Sequence, residues 1–190
     1  SDLYESYGEL VDQLNNTYIT AGDVGTSMED LISINRTTKY VGGIKLETST
    51  PTAKGIFNAI NTTYKFLTNK ELRESTIAIS GVGKVGSKLL KLLSEKKANL
   101  IISNIGRDPI DQLKHDKISF TESDINSIFE RECDIISPCA LGEVINSKNK
   151  KKLKCKAIVG AANNQLDKSE TAEWLKENNI FYAPDYLVNS

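Results

Sequence analysis

Three glycines with the spacing G-x-G-x-x-G stand in the stretch SGVGKVGSK, at Gly81, Gly83 and Gly86. The stretch follows the apolar run TIAIS and precedes a helical pattern, and in this context the spacing is typical of a loop that binds a dinucleotide pyrophosphate. Gly81 would permit the tight turn, Gly83 would let the backbone approach the phosphates, and Gly86 would let the helix pack closely on the strand. The phosphates would face free N–H groups at the positive end of the helix dipole. The alternative is a turn with a structural role only. The context favours a dinucleotide site, to which we also assign Lys84 and Val85.

A second polar position follows at the end of the apolar run NLIISN. An NAD site usually has Asp or Glu there, which accepts hydrogen bonds from the adenine ribose, whereas this sequence has Asn104. Asn104 keeps an acceptor oxygen but has no charge, so it would not repel a 2′-phosphate, which Arg107 could reach. Alternatively, Asn104 and Gly106 form only a turn. We therefore predict NAD as the cofactor, with NADP as the alternative.

Composition narrows the class of protein. With 24 Lys and Arg against 25 Asp and Glu, the net charge of −1 gives no broad electrostatic case for binding nucleic acid. No apolar segment approaches the roughly 20 residues of a membrane span, and the first residues lack the apolar region of a signal peptide. The three cysteines show no C-x-x-C spacing, which favours reduced thiols in a cytoplasmic protein. The single histidine, His115, excludes a His-rich metal site and is expected in a surface loop, so no metal site is predicted.

From residue 75 onward, predicted strands alternate with predicted helices, and these elements must position the candidate binding residues. Short apolar runs predict strands at 76–80, 99–104, 118–120, 134–140, 156–161 and 180–184. Helical patterns separate some of them, at 85–97, 122–131 and 168–177. Strands that alternate with helices predict a parallel sheet covered on both faces, and right-handed crossovers make this a doubly wound, Rossmann-like α/β fold.

The first 74 residues have a different pattern. They predict helices at 3–14, 27–38 and 51–67 and a short strand at 18–20. Thr26 or Ser27 would cap the second helix, and Pro51 suits the first turn of the third. The third helix has an apolar face that we expect to pack on the sheet. A linker is predicted around residues 38–50, where VGG and TSTP are poor formers of regular structure.

Five further segments resemble, in order and spacing, the Glu/Leu/Phe/Val amino acid dehydrogenases. They are TAGDVGTSMEDL (20–31), STPTAKGIF (49–57), SPCALGEVIN (137–146), VGAANNQL (159–166) and YAPDYLVN (182–189). The resemblance is strongest to the leucine dehydrogenase branch, and ANNQL with YAPDY is its most specific pair of motifs. It implies a reversible NAD(P)-dependent oxidative deamination of an L-amino acid to the 2-oxo acid and ammonium. The expected substrate is a branched aliphatic amino acid, with phenylalanine, valine, tryptophan or glutamate as alternatives. It also implies that the complete enzyme is a homo-oligomer.

The resemblance assigns roles to single residues near the substrate. Asp23 matches the family's catalytic aspartate, Ala21 a residue that lines the substrate side-chain pocket, and Thr52 a contact near the nicotinamide half of the cofactor. Without the resemblance, Asp23 would be interpreted as an ordinary turn residue. Thr52 would be interpreted as a threonine whose hydroxyl satisfies the backbone of the first helical turn.

The resemblance also assigns contacts with the cofactor or the substrate to two loops that follow predicted strands. Cys139, Ala140 and Leu141 match the family's P-C-A-L loop, and they also follow a strand, at the end where a doubly wound sheet binds ligands. Cys139 is expected to be a small apolar wall, since no histidine or cation that would activate a nucleophile is evident. Asn163 would contact the carboxamide of the nicotinamide and Asn164 the substrate region, although paired asparagines can also form a turn.

The sequence also departs from the family pattern. The two lysines that the family places before its catalytic aspartate have no counterpart here, and the first 17 residues contain no lysine. Residues 1–45 are therefore expected to be a remnant of the catalytic domain with its connecting segment, and residues 46–190 to be the dinucleotide-binding domain. We expect these 190 residues alone to bind dinucleotide without turning over amino acid. The alternative is a non-catalytic dinucleotide-binding sensor or assembly protein derived from the family.

Overall fold

The computed structural model describes residues 2–23, 25–44 and 48–189. The chain divides into two compact units, Ser1–Thr48 and Ser49–Ser190. The boundary predicted between residues 45 and 46 lies outside the described residues. Across the three described ranges, none of the helices is both long enough and apolar enough to span a membrane.

In the residues that the structure describes, the first unit contains two helices, α1 (Asp2–Gln13) and α2 (Met28–Asn35). The start of α2 is fixed by a capping box, in which the Ser27 hydroxyl accepts from the Asp30 N–H and the Asp30 carboxylate accepts from the Ser27 N–H. Such reciprocal bonds satisfy two backbone donors that the helix itself leaves unpaired. Ser27 is therefore the cap, of the two candidates that the sequence offered. The strand predicted at 18–20 is reduced to a single bridge between Thr20 and Val41.

The second unit is a six-stranded parallel sheet with helices on both faces. Its strands are β1 (Thr76–Ser80), β2 (Asn99–Ser103), β3 (Thr121–Glu122), β4 (Ile135–Pro138), β5 (Ala157–Ile158) and β6 (Phe181–Tyr182). Its helices are α3 (Ser49–Thr68), α4 (Lys84–Glu95), α5 (Asp108–His115), α6 (Ser169–Glu177) and α7 (Asp185–Val188). The spatial order β3-β2-β1-β4-β5-β6 is that of a doubly wound dinucleotide-binding sheet, which confirms the predicted fold.

Each central strand is buried on both faces. On β1, Ile77 and Ile79 belong to one core cluster, and Ala78 between them belongs to the cluster on the opposite face. The first cluster includes Ile56 and Ile60 of α3, so this helix packs on the sheet as its apolar period predicted. Burial on both faces explains why these strands are continuous apolar runs rather than alternating ones.

The secondary structure predicted from the sequence was wrong in the region between β2 and β4. The helix predicted at 122–131 is reduced to one 3₁₀ turn at Ile128–Glu130, because the Asp124 carboxylate accepts from the Asn126 N–H at 2.8 Å and holds a turn there. The strand predicted at 118–120 lies at 121–122 instead, since the Ile118 N–H bonds to the Leu113 carbonyl and closes α5. His115, expected in a loop, is the last residue of α5, and its side chain is exposed.

Asp134 connects the amino ends of β1 and β4. Its carboxylate accepts from the Thr76 N–H at 2.9 Å and from the Lys156 ammonium at 2.7 Å, and this second bond raises the pKa of Lys156. We expect Asp134→Ala to lower the free energy of unfolding by about 1–3 kcal/mol, because it leaves the Thr76 N–H unpaired in a half-buried position. Lys156→Met removes only an exposed partner and should cost less than about 1 kcal/mol. Urea unfolding of both variants checks this, and equal losses would contradict it.

Candidate functional site

The loops that follow the strands at their carboxyl ends meet at one edge of the sheet. The strand order reverses direction between β1 and β4, which lie side by side. In open α/β sheets ligands bind in the crevice at this switch point. The glycine loop follows β1 and the C-A-L loop follows β4, so the structure places both at the edge where a dinucleotide would bind.

The glycine loop is held by close backbone contacts. Gly81 has a φ of +98°, a conformation that favours glycine, and a Cβ atom added there would lie 2.6 Å from the Ala140 Cβ. A Cβ atom on Gly86 would clash with the Gly81 carbonyl oxygen and lie 3.3 Å from the Cys139 Cβ. These two glycines therefore let α4 and the C-A-L loop pack directly on the turn after β1.

Gly83 is different, because a Cβ atom added there would meet no atom within 4 Å. Gly83 is the N-cap of α4, and the backbone N–H groups of Gly83, Lys84 and Val85 find no acceptor among the described residues. A helix N-terminus with free N–H groups and open space in front of it binds anions well. The loop therefore fits a pyrophosphate.

Asn104 holds this loop in place from the end of β2. Its side-chain oxygen accepts from the Val82 N–H at 3.0 Å, and its amide nitrogen donates to the Gly106 carbonyl at 2.8 Å. The turn with Gly106 that the sequence suggested is thus present. Contact with the ribose stays a prediction, for which the Asn104 oxygen retains a second lone pair.

The loops after β4 and β5 continue the wall of the crevice. A Cβ atom on Gly142 would lie 2.6 Å from the Asn163 carbonyl oxygen, and the Glu143 N–H donates to the Asn164 carbonyl at 2.7 Å. Leu141, between this contact and Ala140, is exposed. The C-A-L loop therefore touches the glycine loop on one side and the paired asparagines on the other.

The paired asparagines are fixed by residues from the last motif of the chain. The Asn163 side-chain oxygen accepts from the Asn189 amide at 2.9 Å, and the Asn164 N–H donates to the Asp185 carboxylate at 3.0 Å. Asn164 has a φ of +49°, so the turn expected as an alternative is also real. Sequence reasoning missed Asp185 and Asn189 as supports of the site. Their position directly after the last predicted strand was the available signal.

The predicted contact Thr52 lies in the first turn of α3, where it is half-buried. The Lys88 ammonium of α4 donates to the hydroxyls of Ser49 and Thr50, both at 2.9 Å. Lys88 therefore fixes the beginning of α3, with Thr52, against the helix that follows the glycine loop.

Asp23 and Ala21 belong to the first unit, in the exposed loop before α2. The Asp23 N–H donates to the Thr26 hydroxyl at 3.2 Å, and the Thr26 N–H donates to the Asp23 carbonyl at 3.0 Å. Asp23 is thus a turn residue in its backbone, while its side chain is exposed. The catalytic role of Asp23 and the substrate role of Ala21 stay predictions.

The cysteines have the properties of apolar packing residues. Burial raises the pKa of the Cys139 thiol, whose sulfur lies 3.5 Å from the Ser137 hydroxyl, and raises the pKa of Cys133 and Cys155 to about 12. Within the described ranges, no group of three or more His, Cys, Asp or Glu side chains is arranged to hold a metal ion.

We therefore expect the folded protein to resist alkylation. At pH 8, iodoacetamide should label Cys133 and Cys155 at least about 100-fold more slowly than free cysteine, because only the thiolate reacts and burial suppresses it. Peptide mass spectrometry measures the labelling, and the same protein in urea is the control that should react fully. Rapid labelling of either thiol in the folded protein would show that burial does not protect it.

The chain is similar to known proteins over its whole length. The model of the Glutamate/Leucine/Phenylalanine/Valine dehydrogenase family matches residues 42–105 and 101–190. The phenylalanine dehydrogenase of Thermoactinomyces intermedius is 40% identical, and the alignment covers 100% of this chain and 54% of that protein. The leucine dehydrogenase of Bacillus subtilis is 37% identical, with the same two coverages of 100% and 54%.

A solved structure agrees with these relatives. The crystal structure of L-tryptophan dehydrogenase from Nostoc punctiforme superposes with a TM-score of 0.77 at 32% identity, over 99% of this chain and 55% of that one. The chain thus spans about half the length of the relatives that it matches. Because the family model covers most of the chain and its loops form the crevice, the chain belongs to the Glutamate/Leucine/Phenylalanine/Valine dehydrogenase family.

Proposed function

We propose that this chain supplies the dinucleotide-binding part of an enzyme that oxidatively deaminates an L-amino acid to the 2-oxo acid and ammonium. The observation that carries the proposal is the continuous wall formed by the glycine loop, the C-A-L loop and the paired asparagines, which begins at the free N-terminus of α4. Two relatives that align with the whole chain are named phenylalanine dehydrogenase and leucine dehydrogenase. A large apolar amino acid is therefore the proposed substrate class.

Each part of the wall would have its own task. The N–H groups of Gly83, Lys84 and Val85 would bind the pyrophosphate, and Asn104 would keep the loop in shape for it. The Asn163 amide nitrogen, which has no acceptor within the part of the chain that the structure describes, would bind a carboxamide oxygen. A nicotinamide dinucleotide, when bound, supplies the hydride acceptor. We propose NAD for this role.

The chain's proposed acid–base group is Asp23. Loss of hydride from the amino acid Cα gives an imine, and water must add to it while protons leave the water and reach the departing amine. A carboxylate can take up and return these protons if it lies within hydrogen-bond distance of the amino group. We assign that role to Asp23, and we assign Ala21 and Asn164 to the surroundings of the substrate.

Titration of the protein with NADH, followed by nicotinamide fluorescence, tests the dinucleotide site. Amino-acid-dependent reduction of NAD by the complete protein, with L-leucine, L-phenylalanine, L-valine and L-glutamate compared, tests the reaction. Failure to bind either NADH or NADPH would overturn the proposal. Binding without deamination of any amino acid by the complete protein would favour the alternative of a non-catalytic dinucleotide-binding protein.

A further inference from the structure

A small cluster of charged side chains lies beside the position proposed for the adenine ribose. Glu122, the last residue of β3, pairs across the parallel ladder with Ile102 of β2, two residues before Asn104. The Ser123 N–H donates to the Ile102 carbonyl at 2.8 Å, so the chain leaves β3 alongside the end of β2. In a doubly wound dinucleotide fold the adenine ribose lies at the carboxyl end of β2. Glu122 therefore lies at the same end of the sheet, on the neighbouring edge strand β3.

Both carboxylate oxygens of Glu122 are engaged by cations. One lies 2.6 Å from a terminal nitrogen of Arg107 and the other 2.5 Å from the Lys114 ammonium. The Arg107 Nε also lies 3.5 Å from the Asp111 carboxylate. These hydrogen bonds lower the pKa of Glu122, with Lys114 the larger cause and Arg107 next, so Glu122 is ionised at neutral pH.

The cluster is balanced in charge and open to solvent. Two cations and two carboxylates give it no net charge, and the side chains of Arg107, Lys114 and Glu122 are 58%, 48% and 36% exposed. A ligand from solvent can therefore reach Arg107, but only by competing with a carboxylate that already holds it. A phosphate monoester brings nearly two negative charges of its own, which Glu122 would repel.

We propose that Glu122 determines the preference for NAD over NADP, by pairing with Arg107 and Lys114 and so denying them to a 2′-phosphate. This inference rests on the proposed function. It accounts for the absence of a carboxylate at Asn104, since the negative charge that disfavours a 2′-phosphate is supplied from β3 instead of β2.

The test is the ratio of dissociation constants for NADPH and NADH in the wild-type chain and in Glu122→Gln. We expect Glu122→Gln to tighten NADPH binding at least about tenfold, because two cations lose their partner and gain a phosphate. NADH binding should change less than about twofold, because that ligand has no 2′-phosphate. Adding Arg107→Met to the variant should remove the gain.

Asp116→Asn is the matched control. It also removes one carboxylate from an ion pair, with Lys91 at 2.6 Å, but among the described residues no hydrogen bond or ion pair joins the Asp116 carboxylate to Arg107 or Lys114. The ratio should stay as in the wild-type chain. Thermal unfolding of each variant shows whether the fold is retained.

The outcomes separate this inference from the proposed function. If the wild-type chain binds neither nucleotide, the proposed function is wrong. If it binds NADH but Glu122→Gln leaves the ratio unchanged, or if the wild-type chain already prefers NADPH, the role of Glu122 is wrong and the dinucleotide site stands.

Discussion

Gly86→Ala is expected to lower the free energy of unfolding by about 2–4 kcal/mol and to abolish dinucleotide binding. The added methyl group would overlap the Gly81 carbonyl oxygen and lie 3.0 Å from the Gly81 carbonyl carbon. Neither atom can move aside, because the Gly81 N–H is bonded to the Ser103 carbonyl at 2.8 Å and Ala140 packs on the other side. The first turn of α4 would therefore have to shift away from the loop. Urea unfolding measures the stability, and an NADH titration measures the binding.

Gly83→Ala is the control, since it adds the same methyl group three residues earlier. Open space surrounds that position, so the free energy of unfolding should fall by less than about 1 kcal/mol, the cost of alanine in place of glycine at an N-cap. NADH binding should weaken nonetheless, because the methyl group would occupy the space proposed for the pyrophosphate. A Gly86→Ala protein as stable as Gly83→Ala would show that α4 does not depend on its contact with Gly81.

Asp23→Asn is expected to reduce turnover by the complete enzyme at least about 100-fold, the usual contribution of a positioned acid–base group. Asparagine keeps the shape of the side chain, and the bond from the Asp23 N–H to the Thr26 hydroxyl involves only the backbone of Asp23. The turn should therefore survive while the proton acceptor is lost. Steady-state kinetics with the preferred amino acid measures the effect on kcat, and an NADH titration should give an unchanged dissociation constant.

Glu29→Gln provides the comparison for Asp23→Asn. Glu29 lies in the first turn of α2, carries the same charge and takes no part in the capping box, for which the chain uses Asp30. Its replacement should leave kcat within about twofold, because it removes no acid–base group from the site. Full activity of Asp23→Asn would assign Asp23 a turn role only. A loss of kcat accompanied by an equal loss of NADH affinity would point to damage to the fold.

The fold could be predicted where the apolar pattern was unambiguous. The runs at 76–80 and 99–104 are too short and too apolar for surface helices, and both form central strands. The pattern failed at 122–131, where Ile128 and Phe129 are buried core residues but lie in a 3₁₀ turn, and Ile125, at helical spacing from them, is exposed. The hydrogen bond from the Asn126 N–H to the Asp124 carboxylate stabilises the turn in place of a helix, and the spacing of apolar residues does not predict such a bond.

The sequence predicted the separate loops of the candidate site but not the hydrogen bonds and ion pairs that join them. Each loop could be found because it follows a strand and contains glycine, asparagine or a family motif. The bonds that join the loops link residues far apart in the chain, such as Arg107 with Glu122 and Asn163 with Asn189. Whether such pairs meet depends on strand order and register, which the sequence of a single loop does not contain. Hence Glu122 and Asn189 were found only in the structure.

The bonds between loops also bear on how this protein folds. The crevice needs loops that span residues 81 to 189, and Asn163 and Asn164 are held by residues that come after the last strand. A chain in which β5 or β6 has not yet added to the sheet would have the glycine loop but no support for the asparagines. The proposed nucleotide affinity would thus depend on the finished sheet rather than on one motif. Any bound nucleotide would stabilise only chains that have completed it, by mass action.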